Sequence, residues 1–148
     1  MQKVVIGSDH AGYEVKERIK QELGGEYEFV DLGTNSTESV DYPKFGEAVA
    51  QQVAVTPDLK GILVCGSGEG IMMSANKVKG ARAALGYSTE SAAGAREHNN
   101  ANIIAVPGRN KTMDDQVEIV KAFLSTEFSE EERHHRRVDQ MMDIERNN

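Results

Sequence analysis

The sequence predicts an α/β protein built on a parallel β-sheet that is covered by helices on both faces. Short runs rich in aliphatic and β-branched residues alternate with longer segments of helical periodicity. The short runs are apolar with little alternation, which is typical of strands buried on both faces of a sheet. The 148 residues show no internal repeat, linker or low-complexity tract. We therefore expect a single domain over residues 1–148.

Five short segments are predicted to be the strands of this sheet. In chain order they are Lys3–Ser8, Tyr27–Leu32, Gly61–Cys65, Ala81–Leu85 and Asn102–Val106. The first (KVVIGS) and the third (GILVC) are almost wholly apolar, and this composition indicates buried strands at the centre of the fold.

The segments that alternate with the strands are predicted to be helices. In Tyr13–Leu23, apolar residues recur every four positions at Val15, Ile19 and Leu23. A polar, turn-rich stretch, residues 33–43, precedes a second helix, which is marked by Phe45, Ala48, Val49 and Val53. The remaining helices are predicted to begin near Ile71, to lie around Ser91–Glu97, and to cover Asp114–Leu124 and Glu130–Glu145.

Composition and charge argue against several classes of function for this chain. The net charge of −7 argues against general nucleic-acid binding. No apolar run approaches the ~18 residues that a membrane span needs, and the first residues enter a strand pattern without a signal-peptide core. The single cysteine, Cys65, cannot form an internal disulfide, which suits a reducing compartment. We expect a cytoplasmic protein that binds neither nucleic acid nor membranes.

Unusual residues follow two of the predicted strands. In parallel sheets, ligands bind beyond the carboxyl ends of the strands. Asp9 and His10 follow the first strand and could bind hydroxyl groups and move protons, although Asp9 could equally cap the next helix. The third strand ends at Cys65 and is followed by Gly66, Ser67, Gly68, Glu69 and Gly70.

The glycine-rich turn favours an oxyanion or phosphate site. Three glycines in five positions allow successive N–H groups to point into one concavity. The turn lacks the Lys-Ser/Thr ending of a P-loop and the spacing of a dinucleotide motif. Cys65 beside a helix amino terminus is a plausible base or nucleophile, because such a position stabilises a thiolate. A tight strand-to-helix turn with Cys65 as a core residue is the structural alternative.

Three further segments carry candidate residues. His98 and Asn99 lie just before the fifth strand, where His98 could act as a general acid or simply belong to a capping turn. Arg109 follows the fifth strand. Arg133 and Arg137 share a helix face and could grip a phosphate, or could form solvated salt bridges with the neighbouring glutamates. No metal-ligand spacing such as HExxH or CxxC is present.

Together these segments resemble the ribose-5-phosphate isomerase B family, which includes galactose-6-phosphate and allose-6-phosphate isomerases. The similarity covers nearly the whole chain. It is carried by GSDHAGYEVKE, DYP at residues 41–43, CGSGEG, SANK at residues 74–77, REHNNAN, GR and ERHHRRV. The resemblance implies a Rossmann-like three-layer α/β/α sandwich whose sheet begins in the order 2-1-3. It also implies interconversion of ribose 5-phosphate and ribulose 5-phosphate through an enediolate, with no metal and no cofactor.

The resemblance also implies a role for each candidate residue. Cys65 matches the base, and the amides of Gly66–Gly70 match the groups that stabilise the enediolate. His98 matches the acid of ring opening, and Asn99 matches a substrate ligand. Asp9, His10 and Tyr42 match positions that contact the sugar, whereas Arg109, Arg133 and Arg137 match the phosphate ligands. Members of the family are dimers or tetramers with sites shared between subunits, so we expect the C-terminal helix to reach a partner subunit.

Three other functions stay open at this point. A hexose-phosphate isomerase would use the same residues on a substrate one carbon longer. A non-catalytic module that binds a nucleotide or a phosphosugar would explain the glycine-rich turn and the arginines, but it would give Cys65 and His98 no role. A flavodoxin-like electron carrier is a more remote alternative.

Overall fold

The centre of the molecule is a five-stranded parallel sheet with helices on both faces. The computed structural model describes residues 1–148. The strands are β1 (Gln2–Ser8), β2 (Tyr27–Asp31), β3 (Lys60–Cys65), β4 (Ala83–Leu85) and β5 (Ile103–Pro107). Their spatial order is β2-β1-β3-β5-β4, and every neighbouring pair is parallel. The predicted α/β class and the 2-1-3 start of the sheet are confirmed.

The strand order places a crevice between the carboxyl ends of β1 and β3. From β1 the chain moves to one side of the sheet to form β2 and then crosses to the other side to form β3. The helices that make these two connections cover opposite faces of the sheet, so the loops after β1 and β3 diverge and leave a cleft between them. In the pairing of β1 with β3, Ser8 at the end of β1 lies opposite Val64, the residue before Cys65.

Two apolar clusters hold the three layers together. The helices are α1 (Tyr13–Leu23), α2 (Pro43–Val55), α3 (Glu69–Ala75), α4 (Thr89–Asn99), α5 (Met113–Leu124) and α6 (Glu132–Arg146). Residues of α1, α4 and α5 pack with Val4 and Ile6 on one face of the sheet. Residues of α2 and α3 pack with Val5 and Leu63 on the other face. Alternate residues of β1 thus enter different cores, because side chains of a strand alternate between its faces.

Most element boundaries lie within two residues of the predicted ones. Helix α3 begins at Glu69, two residues earlier than predicted, directly after Gly68 in the left-handed conformation with φ 81°. A short 3₁₀ turn, His10–Gly12, stands between β1 and α1 and was not predicted from the sequence. It forms because the Asp9 carboxylate accepts a hydrogen bond from the Gly12 N–H, 3.0 Å away.

Helix α6 is the least buried helix of the molecule. Only His134 and Val138, four residues apart, are buried along its 15 residues. Near its end, Met141 is 40% exposed and Ile144 is 67% exposed. A helix that buries one narrow stripe and exposes large apolar side chains on another side has a second surface suited to protein contact.

Candidate active site

Cys65 lies at the last position of β3, at the floor of the crevice. Its side chain is 4% exposed and packs in the core cluster formed with α2 and α3. Its sulfur accepts a hydrogen bond from the Gly68 N–H, with a donor–acceptor distance of 3.2 Å. Cys65 therefore fills space in the core, as the structural alternative expects, and it also receives an N–H from the glycine-rich turn.

The turn over residues 66–70 presents backbone N–H groups that have no partner within the chain. The N–H groups of Gly66, Ser67 and Gly70 donate no hydrogen bond, whereas those of Gly68 and Glu69 bond to side chains of the turn itself. A Cβ atom on Gly68 would lie 2.9 Å from Leu85 Cδ1 and 3.0 Å from the Val106 carbonyl carbon. Glycine is needed there for both conformation and space. The free donors can receive an oxyanion.

Asp9 and His10 lie beside Cys65 across the crevice. Asp9 is buried, and its N–H donates to the Val64 carbonyl at 3.2 Å, while its carboxylate caps the 3₁₀ turn. The turn approaches β3 so closely that a Cβ on Gly12 would lie 2.4 Å from the Val64 oxygen. His10 Nδ1 lies 3.1 Å from the Val40 N–H. The same nitrogen lies 3.2 Å from the Val40 carbonyl oxygen, so contacts with Val40 orient the ring in either tautomer and leave Nε2 for another partner.

Tyr42 and Arg109 border the glycine-rich turn on two sides. A Cβ on Gly70 would lie 2.6 Å from Tyr42 Cζ, so the phenol ring rests on that glycine. The Arg109 N–H donates to the Gly66 carbonyl at 3.2 Å, and its guanidinium lies against Gly66. The structure thus brings together ten predicted residues at the carboxyl edge of the sheet. They are Asp9, His10, Tyr42, Cys65, Gly66, Ser67, Gly68, Glu69, Gly70 and Arg109.

His98 and Asn99 lie at the opposite edge of the same chain. Helix α4 returns from the carboxyl end of β4 to the amino end of β5, where the Asn102 carbonyl accepts from the Gly61 N–H. Gly61 pairs with Ile103, whereas Cys65 pairs with Pro107 at the far end of β5. Four residue steps separate Ile103 from Pro107, so at ~3.3 Å each the end of α4 lies about 13 Å from the level of Cys65. Within one chain, His98 and Cys65 therefore lie towards opposite edges of the sheet.

Arg133 and Arg137 lie on α6, next to His98. The rings of His98 and His134 stack with centroids 4.8 Å apart, which holds the start of α6 against the end of α4. Arg133 forms an exposed ion pair with Glu131 at 3.3 Å, as the salt-bridge alternative expects, but Arg137 has no carboxylate within 4.0 Å. Both guanidinium groups are exposed. The four predicted residues His98, Asn99, Arg133 and Arg137 therefore form a second group, separate from the first.

His134 belongs to this second group and was not singled out from the sequence. It is buried, and its Nδ1 lies 3.5 Å from a Glu131 carboxylate oxygen. Its spacing of four from Val138 is the signal that could have found it, because the two residues form the buried stripe of α6.

Two kinds of structural feature are absent from the molecule. The structure contains no group of three or more His, Cys, Asp or Glu side chains arranged to hold a metal ion. None of the helices combines the length and the apolar character required to cross a bilayer.

Comparison with known proteins places this arrangement in a family. The model of the ribose/galactose isomerase family matches residues 4–141. The chain belongs to the ribose/galactose isomerase family. The ribose-5-phosphate isomerase B of Mycobacterium tuberculosis (strain H37Rv) is 44% identical over 146 residues, which cover 97% of this chain and 90% of the relative.

Solved structures of family members have the same fold. The type B ribose 5-phosphate isomerase of Trypanosoma cruzi is 42% identical and superposes with a TM-score of 0.94, over 99% of this chain and 100% of that one. The ribose-5-phosphate isomerase B of Mycoplasma genitalium, solved with bound ribulose 5-phosphate, is 41% identical with a TM-score of 0.93, over 99% and 97% of the two chains. The resemblance inferred from the sequence motifs is confirmed.

Proposed function

We propose that this family member interconverts ribose 5-phosphate and ribulose 5-phosphate by proton transfer through an enediolate. The observation that carries the proposal is the pairing of the Cys65 thiol with a turn of unpartnered N–H groups at one sheet edge. Aldose–ketose isomerisation needs a base at one carbon and donors at the adjacent oxygen, and this edge supplies both. The complex of the Mycoplasma genitalium relative with ribulose 5-phosphate supports the choice of substrate.

Cys65 is the proposed base. As a thiolate it takes the proton from the carbon next to the carbonyl, and the electron pair of that C–H bond moves to form the enediolate. The N–H groups of Gly66, Ser67 and Gly70 donate to the developing oxyanion, and Ser67 and Glu69 shape the turn that presents them. Return of the proton to the neighbouring carbon, together with transfer of the hydroxyl proton from the second carbon's oxygen to the first carbon's oxygen, completes the isomerisation without an external oxidant or reductant. Proton transfer of this kind requires neither a metal ion nor a cofactor.

Sugar recognition is assigned to the side chains around the crevice. Asp9 and His10 are fixed by backbone contacts at the end of β1, so their free polar atoms can receive sugar hydroxyls with little loss of side-chain entropy. The Tyr42 ring lies over Gly70 and supplies a wall with a hydroxyl group. Arg109 lies at the same edge and is a proposed phosphate ligand.

A second copy of the chain is proposed to supply the remaining residues. His98 is the proposed acid for opening the furanose ring, Asn99 a substrate ligand, and Arg133 and Arg137 phosphate ligands. They are exposed and lie towards the amino edge of the sheet in their own chain, which is about 13 Å from the level of Cys65. A symmetric dimer can place this group of one protomer over the crevice of the other, and a tetramer can do so in pairs. The exposed apolar residues Met73, Met141 and Ile144 supply surface for such an interface.

A hexose phosphate is the second candidate substrate, because the matched family is described as ribose/galactose isomerase. The distinguishing measurement compares kcat/KM for ribose 5-phosphate, allose 6-phosphate and galactose 6-phosphate, with a chelator present throughout. We expect ribose 5-phosphate to be preferred and the chelator to have no effect. A preference for a hexose phosphate would mean that this sugar phosphate, and not ribose 5-phosphate, is the substrate. Absence of turnover with all three compounds would contradict the proposal. The reaction belongs to carbohydrate metabolism, and we propose a cytoplasmic location for it.

A further inference from the structure

A cavity lies at the amino edge of the sheet, opposite the Cys65 crevice. Its volume is about 350 Å³, it is open to solvent on one side, and it is lined by the end of α2, the loop into β3, and residues near the starts of β4 and β5. Its polar lining comprises Asp58, Lys60, Arg82, Arg96, Asn100 and Asn102. None of the residues assigned to catalysis or substrate binding lines it. A volume of this size lies at the lower end of the range for small-molecule sites.

Three cationic side chains meet in this cavity without an ion pair. Lys60, Arg82 and Arg96 each lack a carboxylate oxygen within 4.0 Å, although Asp58, Glu127 and Glu145 lie farther away around them. Burial lowers the pKa of all three groups, and the positive charge of Arg96 lowers that of Lys60 further. Holding three partly buried cations together with carboxylates only at longer range is unfavourable.

These cations also retain hydrogen-bond donors that the chain does not use. Arg96 donates through Nε to the Thr126 carbonyl at 3.1 Å and through Nη1 to Asn100 and Ala101, which leaves Nη2 free. Arg82 donates through Nε to the Asn100 carbonyl at 2.9 Å, and its Nη1 contacts the Met142 sulfur at 3.6 Å. The Lys60 ammonium has no hydrogen-bond partner. The backbone contacts fix both guanidinium groups in place while their outer nitrogen atoms stay available.

We propose that this amino-edge cavity is a second anion site, which binds the phosphate group of a small ligand. Two guanidinium groups and one ammonium supply donors for several oxygens of a tetrahedral anion and offset its charge. Inorganic phosphate and a phosphate monoester share this chemistry and are the two possible sources. The inference does not depend on the proposed isomerase activity, because it uses different residues at the other edge of the sheet.

The test uses the full chain with its proposed catalytic phosphate ligands removed, as the triple variant Arg109→Ala/Arg133→Ala/Arg137→Ala. Inorganic phosphate and glycerol 3-phosphate are titrated separately by calorimetry in chloride buffer of constant ionic strength. We expect saturable binding of at least one of them to persist in this variant. The compound that binds with the higher affinity then shows whether the site takes free phosphate or a phosphate monoester.

Adding Lys60→Gln to the triple variant should weaken this binding about tenfold or more, because one charge-assisted contact is lost. The fold should be kept, since the Lys60 side chain makes no hydrogen bond or ion pair. Lys121→Gln is the matched control: it removes the same charge from an exposed position on α5 and should leave the affinity within about twofold. Arg82→Gln is the second test of the cavity. Absence of saturable binding in the triple variant, or equal affinity with and without Lys60 and Arg82, would overturn the proposal.

Discussion

At the scale of single residues, the proposed chemistry depends on the position of the only thiol in the chain. Cys65 ends a buried strand, and its sulfur receives the Gly68 N–H at 3.2 Å. The sequence could predict this position because a cysteine directly before a glycine-rich turn stands at the carboxyl end of a strand by topology alone. The hydrogen bond itself could not be predicted, since it depends on the left-handed conformation of Gly68.

Replacing Cys65 by alanine should remove the base while leaving the fold and substrate affinity nearly intact. General-base catalysis typically contributes ~10²–10⁴-fold, so we expect kcat for ribose 5-phosphate to fall by at least about 10²-fold. Steady-state kinetics, with substrate binding measured by calorimetry, give the two readouts. Cys65→Ser is the matched variant, because it keeps a polar side chain of similar size and lacks the basicity of a thiolate. Retention of more than about a tenth of the wild-type kcat by Cys65→Ala would exclude Cys65 as the base.

His98 should matter most for substrates that must open a ring. The comparison uses ribose 5-phosphate and its 4-deoxy analogue, which lacks the hydroxyl that closes the furanose. His98→Ala should lower kcat/KM for ribose 5-phosphate by ~10²–10⁴-fold and for the analogue much less. His135→Ala is the control, because His135 is an exposed neighbour on α6 that stacks on Phe128. Equal losses on both substrates would refute the ring-opening role.

At the scale of elements, the strand and helix assignments follow from apolar periodicity. Continuous apolar runs indicate β1, β3 and β5 because strands buried on both faces have no polar side to alternate with. The 3₁₀ turn over His10–Gly12 could not be predicted, because it depends on one hydrogen bond, from the Gly12 N–H to the Asp9 carboxylate. The amino-edge cavity also escaped prediction, since Lys60, Arg82 and Arg96 come from three separate segments and meet only in the folded chain.

A buried ion pair between α1 and β2 should give part of the stability a defined pH dependence. Lys16 is fully buried, and its Nζ lies 2.5 Å from an Asp31 carboxylate oxygen. Burial alone would raise the pKa of Asp31, but the hydrogen bonds from Lys16 and Lys20 outweigh it and lower the pKa from its ordinary value. A lowered carboxyl pKa contributes stability that is present above the unfolded value and lost as the pH falls through the folded one.

Asp31→Asn should therefore lower the free energy of unfolding by ~3–5 kcal/mol at pH 7, because it leaves the buried Lys16 charge with only the longer contact to Glu17 at 3.7 Å. The difference from the wild type should shrink as the pH falls below the ordinary carboxyl range. Urea unfolding at pH 7 and pH 3 measures both effects. Asp114→Asn is the control, since Asp114 is 81% exposed in its pair with Arg18 and should cost less than ~1 kcal/mol. Equal destabilisation by the two variants at pH 7 would contradict this account.

At the scale of the whole molecule, the candidate site consists of two groups at opposite edges of one sheet. The sequence motifs identify both groups, but they do not say that a single chain keeps them apart. That separation follows from the direction of α4, which runs back to the amino end of β5 and carries His98 there. Arg137 is exposed and has no carboxylate within 4.0 Å, which is consistent with the proposal that this surface binds substrate in the crevice of a partner chain.

Complementation between two inactive variants tests the shared site most directly. One chain carries Cys65→Ala and the other carries Arg133→Ala/Arg137→Ala, with different affinity tags so that mixed dimers can be isolated. If the arginines serve the partner's crevice, a mixed dimer has one site with both defects and one site with none. Isolated mixed dimers should then recover about half of the wild-type activity towards ribose 5-phosphate. Verified mixed dimers that are no more active than the parent variants would contradict the shared site.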